Sequence, residues 1–107
     1  MPVDLLSPTL AIEALRECLQ NEGQIKPTRH FLEELEKEDL SIPDAWHVLR
    51  AGCIYDPPER DIGTGEWKYK IEGKTPDGMW IAIIFCLKSA DRANLVTIFS
   101  VEGGDSQ

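Results

Sequence analysis

Long apolar runs, cysteine pairs and an excess of positive charge are all missing from this chain of 107 residues. The longest apolar run, residues 79–87, is about half of the ~20 residues that a membrane-spanning helix needs, so no transmembrane segment is predicted. No basic region followed by an apolar stretch opens the chain, and we expect no signal peptide. Repeats and low-complexity segments are also absent. The length predicts a single domain covering residues 1–107.

Cysteine and histidine, which form disulfides and bind transition metals, are few in this chain. Its three cysteines (Cys18, Cys53 and Cys86) form no CxxC motif, and its two histidines (His30 and His47) do not stand at metal-ligand spacing from them. This spacing gives no sign of a disulfide framework or a metal site. We therefore expect reduced, buried cysteines, a cytoplasmic location, and neither metal nor cofactor.

The charge is acidic and unevenly distributed. Eleven basic residues face nineteen acidic ones, which gives a net charge of −8. Residues 1–59 hold five basic and twelve acidic residues, whereas residues 60–92 hold six basic and five acidic. A local cationic face is therefore confined to the second half. RNA is a disfavoured partner, because affinity for nucleic acid comes mostly from neutralised phosphates.

The first half of the chain has the apolar period of amphipathic helices. Thr28 is expected to be the N-cap of the second helix. Ser41 and Asp44 form a variant capping box before the third, which Gly52 ends. The predicted helices cover residues 8–22, 28–38 and 42–52.

The second half changes to the alternating period of β-strands. The predicted strands cover residues 53–55, 66–73, 79–88 and 94–101, and a flexible tail is expected over residues 102–107. Helices followed by strands predict an α+β domain, with the helices packed on one face of an antiparallel meander.

The central predicted strand, residues 79–87, is apolar on both faces. Helices on one side of the sheet leave the other apolar face exposed to water, and such a face needs cover. Either the first helix wraps around to cover it, or a second chain does, as in a homodimer. The sequence leaves both alternatives open.

Residues 28–101 resemble the family catalogued as domain of unknown function 4258. Its members carry a histidine near a helix start, a capped second helix ending in glycine, and a meander ending in a threonine-rich strand. His30 matches that histidine, and the other matching segments are 41–44, 49–52, 67–73 and 95–98. Residues 1–27 lie outside the resemblance and are interpreted as an additional cover.

The family is similar in topology to small ribonuclease toxins of the RelE and BrnT kind, which pair with an antitoxin. The resemblance therefore implies an RNA-cleaving toxin with an antitoxin-like partner. His30, whose ordinary pKa lies near neutrality, is the candidate general base, with Lys68 and Lys70 completing the catalytic group. Arg60 and Lys88 are the candidate phosphate-binding residues. The family often has arginines around its histidine, whereas this chain has glutamates there: Glu33, Glu34, Glu36 and Glu38.

A non-catalytic function is the alternative. In that case His30 bonds to backbone or packs on the sheet, and the lysines are ordinary residues of a solvated strand. The net charge of −8 and the two-sided apolar strand then predict a module that dimerises or binds another protein.

Overall fold

The computed structural model describes residues 5–20, 24–89 and 92–101. This part of the chain is an α+β domain of three helices and five strands, which confirms the predicted class. The helices are α1 (Pro8–Gln20), α2 (Arg29–Lys37) and α3 (Ile42–Ala51). The strands are β1 (Ile25–Pro27), β2 (Glu59–Arg60), β3 (Trp67–Lys74), β4 (Trp80–Ser89) and β5 (Arg92–Ser100). Predictions for residues 21–23 and for the tail at 102–107 lie outside the described residues.

The five strands form one mixed sheet in the order β1-β5-β4-β3-β2. The meander β2-β3-β4-β5 is antiparallel as predicted, but β1 pairs with β5 in parallel. The prediction of a purely antiparallel sheet was therefore wrong at this edge. A strand of three residues is too short to show the alternating apolar pattern in the sequence. Its pairing with β5 is flanked by two backbone hydrogen bonds, in which Ala93 N donates to Gln24 O and Thr28 N donates to Leu95 O.

All three helices pack on the same face of the sheet. Buried residues of α1 (Ala11, Leu15 and Cys18) share one core cluster with those of the other helices and with alternate residues of the strands. The strand residues of this cluster are Tyr69, Ile71, Ile81, Ile83, Phe85, Leu87, Ala93, Leu95 and Ile98. The first helix therefore does not wrap around the sheet, and the first of the two alternatives for covering the second face is wrong. No helix among the described residues has the length and apolar character needed to cross a membrane.

The predicted caps fix where α2 and α3 begin. The Thr28 hydroxyl accepts from Phe31 N at 3.2 Å and lies 2.9 Å from Leu95 O, to which it donates, so it joins the start of α2 to β5. Ser41 and Asp44 form the reciprocal capping box of α3. Both predicted helix starts are confirmed.

Residues 54–58 form an arch over the second face of the sheet, where a strand was expected at 53–55. Only Cys53 pairs with β3, in an isolated bridge to Glu72, and pairing resumes at Glu59 opposite Lys68. Five residues of the arch thus face three residues of β3. Pro57 and Pro58 have no N–H to donate to the ladder, so the chain leaves the sheet edge there.

Candidate functional site

The face of the sheet opposite the helices, called here the reverse face, is formed by the strand residues that alternate with the core. Its members are Lys68, Lys70, Glu72, Trp80, Ala82, Ile84, Cys86, Lys88, Asn94, Val96, Thr97 and Phe99. An irregularity in the β4–β5 pairing places Leu95 opposite Phe85 and Thr97 opposite Ile84. Val96 is therefore an extra residue in β5, and it lies with Thr97 on the reverse face.

The three lysines of the reverse face each pair with a carboxylate. Lys68 Nζ lies 3.0 Å from Asp61 Oδ2, and Lys70 Nζ lies 2.8 Å from Asp56 Oδ2. Lys88 pairs with Glu66. The positive charge of this face is therefore largely neutralised by the protein itself.

In each of these pairs, one member has its pKa shifted towards the charged form. The hydrogen bond from Lys70 to Asp56 raises the pKa of Lys70, and that to Glu66 raises the pKa of Lys88. The Lys68 ammonium, helped by the Thr64 and Gly63 N–H groups, lowers the pKa of Asp61. Lys70 and Lys88 thus stay protonated near neutral pH, which suits charge pairing and not proton abstraction.

Apolar side chains lie between and beside these pairs. Ala82 and Cys86 are buried, and the burial of Cys86 raises the pKa of its thiol. Phe99 keeps 38% of its surface exposed. Tyr55, at 61% exposure, extends from the arch to within 6.4 Å of the Trp80 ring, measured between centroids. The reverse face therefore combines neutralised charges with apolar surface that water still reaches.

A cavity of about 500 Å³ lies between the arch and the sheet. Its size falls within the range of about 300–1,000 Å³ typical of ligand pockets. Its lining residues are Asp56, Pro57, Pro58, Glu59, Lys68, Lys70, Ile84, Val96 and Thr97. Glu59 is exposed and has no ion-pair partner within the part of the chain that the structure describes. The cavity thus has apolar walls and a charged rim.

The structure brings together only some of the predicted catalytic and phosphate-binding residues. Lys68 and Lys70 line the cavity, and Lys88 lies on the same face. His30 is exposed in the first turn of α2, which packs on the helical side of the sheet. Arg60 stands opposite Trp67 in the β2–β3 pairing, with its guanidinium carbon 5.8 Å from the Trp67 ring centroid. Because residues paired across two strands share a face, Arg60 is also directed towards the helical side.

The sequence reasoning missed most of the cavity walls. The pattern predicts a strand at 53–55, and it marks neither the prolines at positions 57 and 58 nor Asp56 and Glu59 as site residues. The two prolines were an available signal, because they exclude a regular ladder and force a detour. No sequence signal marked Val96 and Thr97, since their common side depends on the β4–β5 irregularity.

Comparisons with protein-family models, with curated proteins and with solved structures give no match to this chain. The resemblance to the family of domain of unknown function 4258 therefore stays a prediction. Within the described residues, no group of three or more histidine, cysteine, aspartate or glutamate side chains has the arrangement of a metal site.

Proposed function

We propose that the protein is a non-catalytic binding module that holds a partner protein on the reverse face of its sheet. The observation that carries this proposal is the combination of acid-paired lysines with exposed apolar side chains on one face. Apolar surface that persists beside neutralised charge favours contact with another protein, because burial of that surface is the main driving force of association.

The predicted ribonuclease function has less support. A phosphate that contacts Lys68 or Lys70 must displace Asp61 or Asp56, or sit beside them, and either arrangement costs electrostatic energy. His30 belongs to α2, on the helical side of the sheet, whereas these lysines belong to the reverse face, and this arrangement does not favour one shared phosphodiester site. The ribonuclease hypothesis, like its antitoxin partner, stays a prediction.

A different protein is favoured over a second copy of the chain as the partner. Two copies bring together two net charges of −8, and this repulsion opposes self-association. A homodimer nevertheless stays a prediction, and sedimentation at micromolar concentration tests it.

The proposal is tested with two variants, each of which removes one apolar side chain; the two side chains are similarly exposed and lie on opposite sides of the sheet. Phe99 lies on the reverse face at 38% exposure, and Leu32 lies on α2 at 43%. The wild type, Phe99→Gln and Leu32→Gln are immobilised and exposed to an extract of the cells from which the chain comes. Circular dichroism first checks that both variants are folded.

We expect mass spectrometry to identify a protein that is retained by the wild type and by Leu32→Gln but not by Phe99→Gln. Equal retention by both variants would place the contact elsewhere and overturn the proposal. A wild type that retains no protein above the level of an empty resin would also contradict it.

A further inference from the structure

The charged side chains around the cavity under the arch favour a cationic group over an anionic one. Asp56, Glu59, Lys68 and Lys70 line it, while Asp61 pairs with Lys68 and Glu72 Oε2 lies 3.8 Å from Lys70 Nζ. Two ammonium groups thus stand among four carboxylates. The lining itself balances two lysines against two carboxylates, and the carboxylates of Asp61 and Glu72 beside these lysines make the surroundings of the cavity acidic, as the whole chain is.

Glu59 is the carboxylate that remains available at this rim. Asp56 and Asp61 are each held by a lysine, at 2.8 Å and 3.0 Å, and Glu72 accepts from Trp80 Nε1 at 3.2 Å. Glu59 is exposed and makes no ion pair with any other described residue, although its charge attracts Lys70 from a longer distance. A cation that arrives from outside therefore finds an acceptor in Glu59 without breaking an existing pair.

The walls of the cavity suit an aliphatic side chain. Pro57 and Pro58 form the arch side, and Ile84 and Val96 form the sheet side. These four residues offer no side-chain hydrogen-bond donor or acceptor, and the hydroxyl of Thr97 is the only uncharged polar side-chain group in the lining, so a polar side chain that enters between them loses water with little compensation. A volume of about 500 Å³ accommodates a leucine-sized group together with neighbouring atoms of an extended chain.

We infer that the cavity binds an aliphatic side chain of the partner protein, flanked by a lysine or arginine that pairs with Glu59. This inference rests on the proposed function, because it names the chemistry of the partner segment that the reverse face holds. Charge complementarity supports it over a second copy, whose net charge is also −8.

The inference is tested with three capped pentapeptides and the full isotope-labelled chain. The peptides carry Lys-Leu-Lys, Glu-Leu-Glu or Lys-Ser-Lys between terminal glycines, and each is titrated to millimolar concentration. Backbone amide shifts of Ile84, Val96 and Thr97 in two-dimensional NMR spectra report occupation of the cavity. A dilution series without peptide is recorded in parallel.

We expect the Lys-Leu-Lys peptide to shift these amides with a dissociation constant in the millimolar range, and to bind more tightly than the other two. Glu59→Gln should weaken its binding about two- to five-fold, the usual range for an exposed ion pair. The matched control is Glu36→Gln, which removes an exposed charge from α2 and should leave the affinity unchanged.

The remaining outcomes overturn the inference and separate it from the proposed function. Equal binding of the Glu-Leu-Glu peptide removes the charge preference, and equal binding of Lys-Ser-Lys removes the aliphatic anchor. If no peptide shifts these amides, the cavity is not the anchor site. If the same amides shift on dilution alone, the occupant is a second copy. In all these cases the Phe99 and Leu32 variants still decide the proposed function independently.

Discussion

At the scale of single residues, the site is organised by carboxylates that the chain supplies to its own lysines. Asp61 shows how this happens. Its Oδ1 accepts the N–H groups of Gly63 and Thr64, at 2.8 Å and 3.0 Å, and its Oδ2 is left to bind Lys68. One aspartate thus closes the β2–β3 turn and neutralises a cation of the reverse face.

The pairing of Asp61 predicts a pH-dependent stability difference in Asp61→Asn. The variant keeps an oxygen for the turn and loses the charge for Lys68. Because the folded state lowers the pKa of Asp61, its contribution is present above the ordinary pKa of about 4 and is lost as pH falls through the lowered value. Thermal unfolding should therefore show Asp61→Asn to be less stable than the wild type at pH 7, with the difference disappearing as the pH falls below the lowered pKa of Asp61.

Asp77→Asn is the control for this measurement. Asp77 is exposed and makes no ion pair with the other described residues, so its replacement should leave the melting temperature nearly unchanged across the same pH range. A constant gap between Asp61→Asn and the wild type at all pH values would contradict the assignment of the effect to the charge.

At the scale of elements, the connections determine how each helix and strand is placed. The turn between α2 and α3 shows this most clearly. Asp39 has a φ of 58°, in the left-handed region, and Leu40 N bonds back to Leu35 O. This conformation ends α2 within two residues and lets Ser41 begin the capping of α3. The arch likewise follows from the two prolines that interrupt the edge of the sheet.

The backbone of Asp39 predicts that Asp39→Gly is more stable than the wild type. A left-handed conformation costs a non-glycine residue roughly 1–2 kcal/mol, while the added flexibility of glycine in the unfolded state costs about 0.5–1 kcal/mol. We expect a net gain of up to about 1 kcal/mol in the free energy of unfolding, measured with urea.

Asp77→Gly serves as the matched comparison, because Asp77 is in a turn without positive φ. It should lose about 0.5–1 kcal/mol, since only the entropic cost applies. If both variants lose stability equally, the conformation of Asp39 carries no strain.

At the scale of the whole molecule, the net charge of −8 and the layered architecture bear on the ribonuclease hypothesis. The helices occupy one face of the sheet, so His30 and the lysines at positions 68 and 70 lie in different layers. A polyanion that approaches the reverse face is repelled by the net negative charge of the protein. The lysines that it finds there are already paired with carboxylates.

We therefore expect no cleavage of single-stranded RNA by the purified protein, as followed on denaturing gels. His30→Ala and Lys68→Ala should be indistinguishable from the wild type, and fluorescence anisotropy should detect only weak, salt-sensitive RNA binding. Cleavage by the wild type that disappears in His30→Ala would restore the ribonuclease hypothesis, and a general ribonuclease serves as the positive control for the substrate.

The sequence by itself determined the α+β class, the helix starts at Thr28 and Ser41, and the long strands β3, β4 and β5. These features depend on local periodicity and on side chains that bond to nearby backbone, and both can be recognised within a few residues. They needed no knowledge of what packs against them.

Only the tertiary structure decided which side of the sheet each candidate residue occupies and what it contacts there. Asp56 and Asp61 lie outside β3 but pair with lysines of that strand. The shape of the cavity depends on the extra residues of the arch and of β5. Such contacts depend on strand register. Because residues that are distant along the chain determine the register together, local sequence patterns do not encode these contacts.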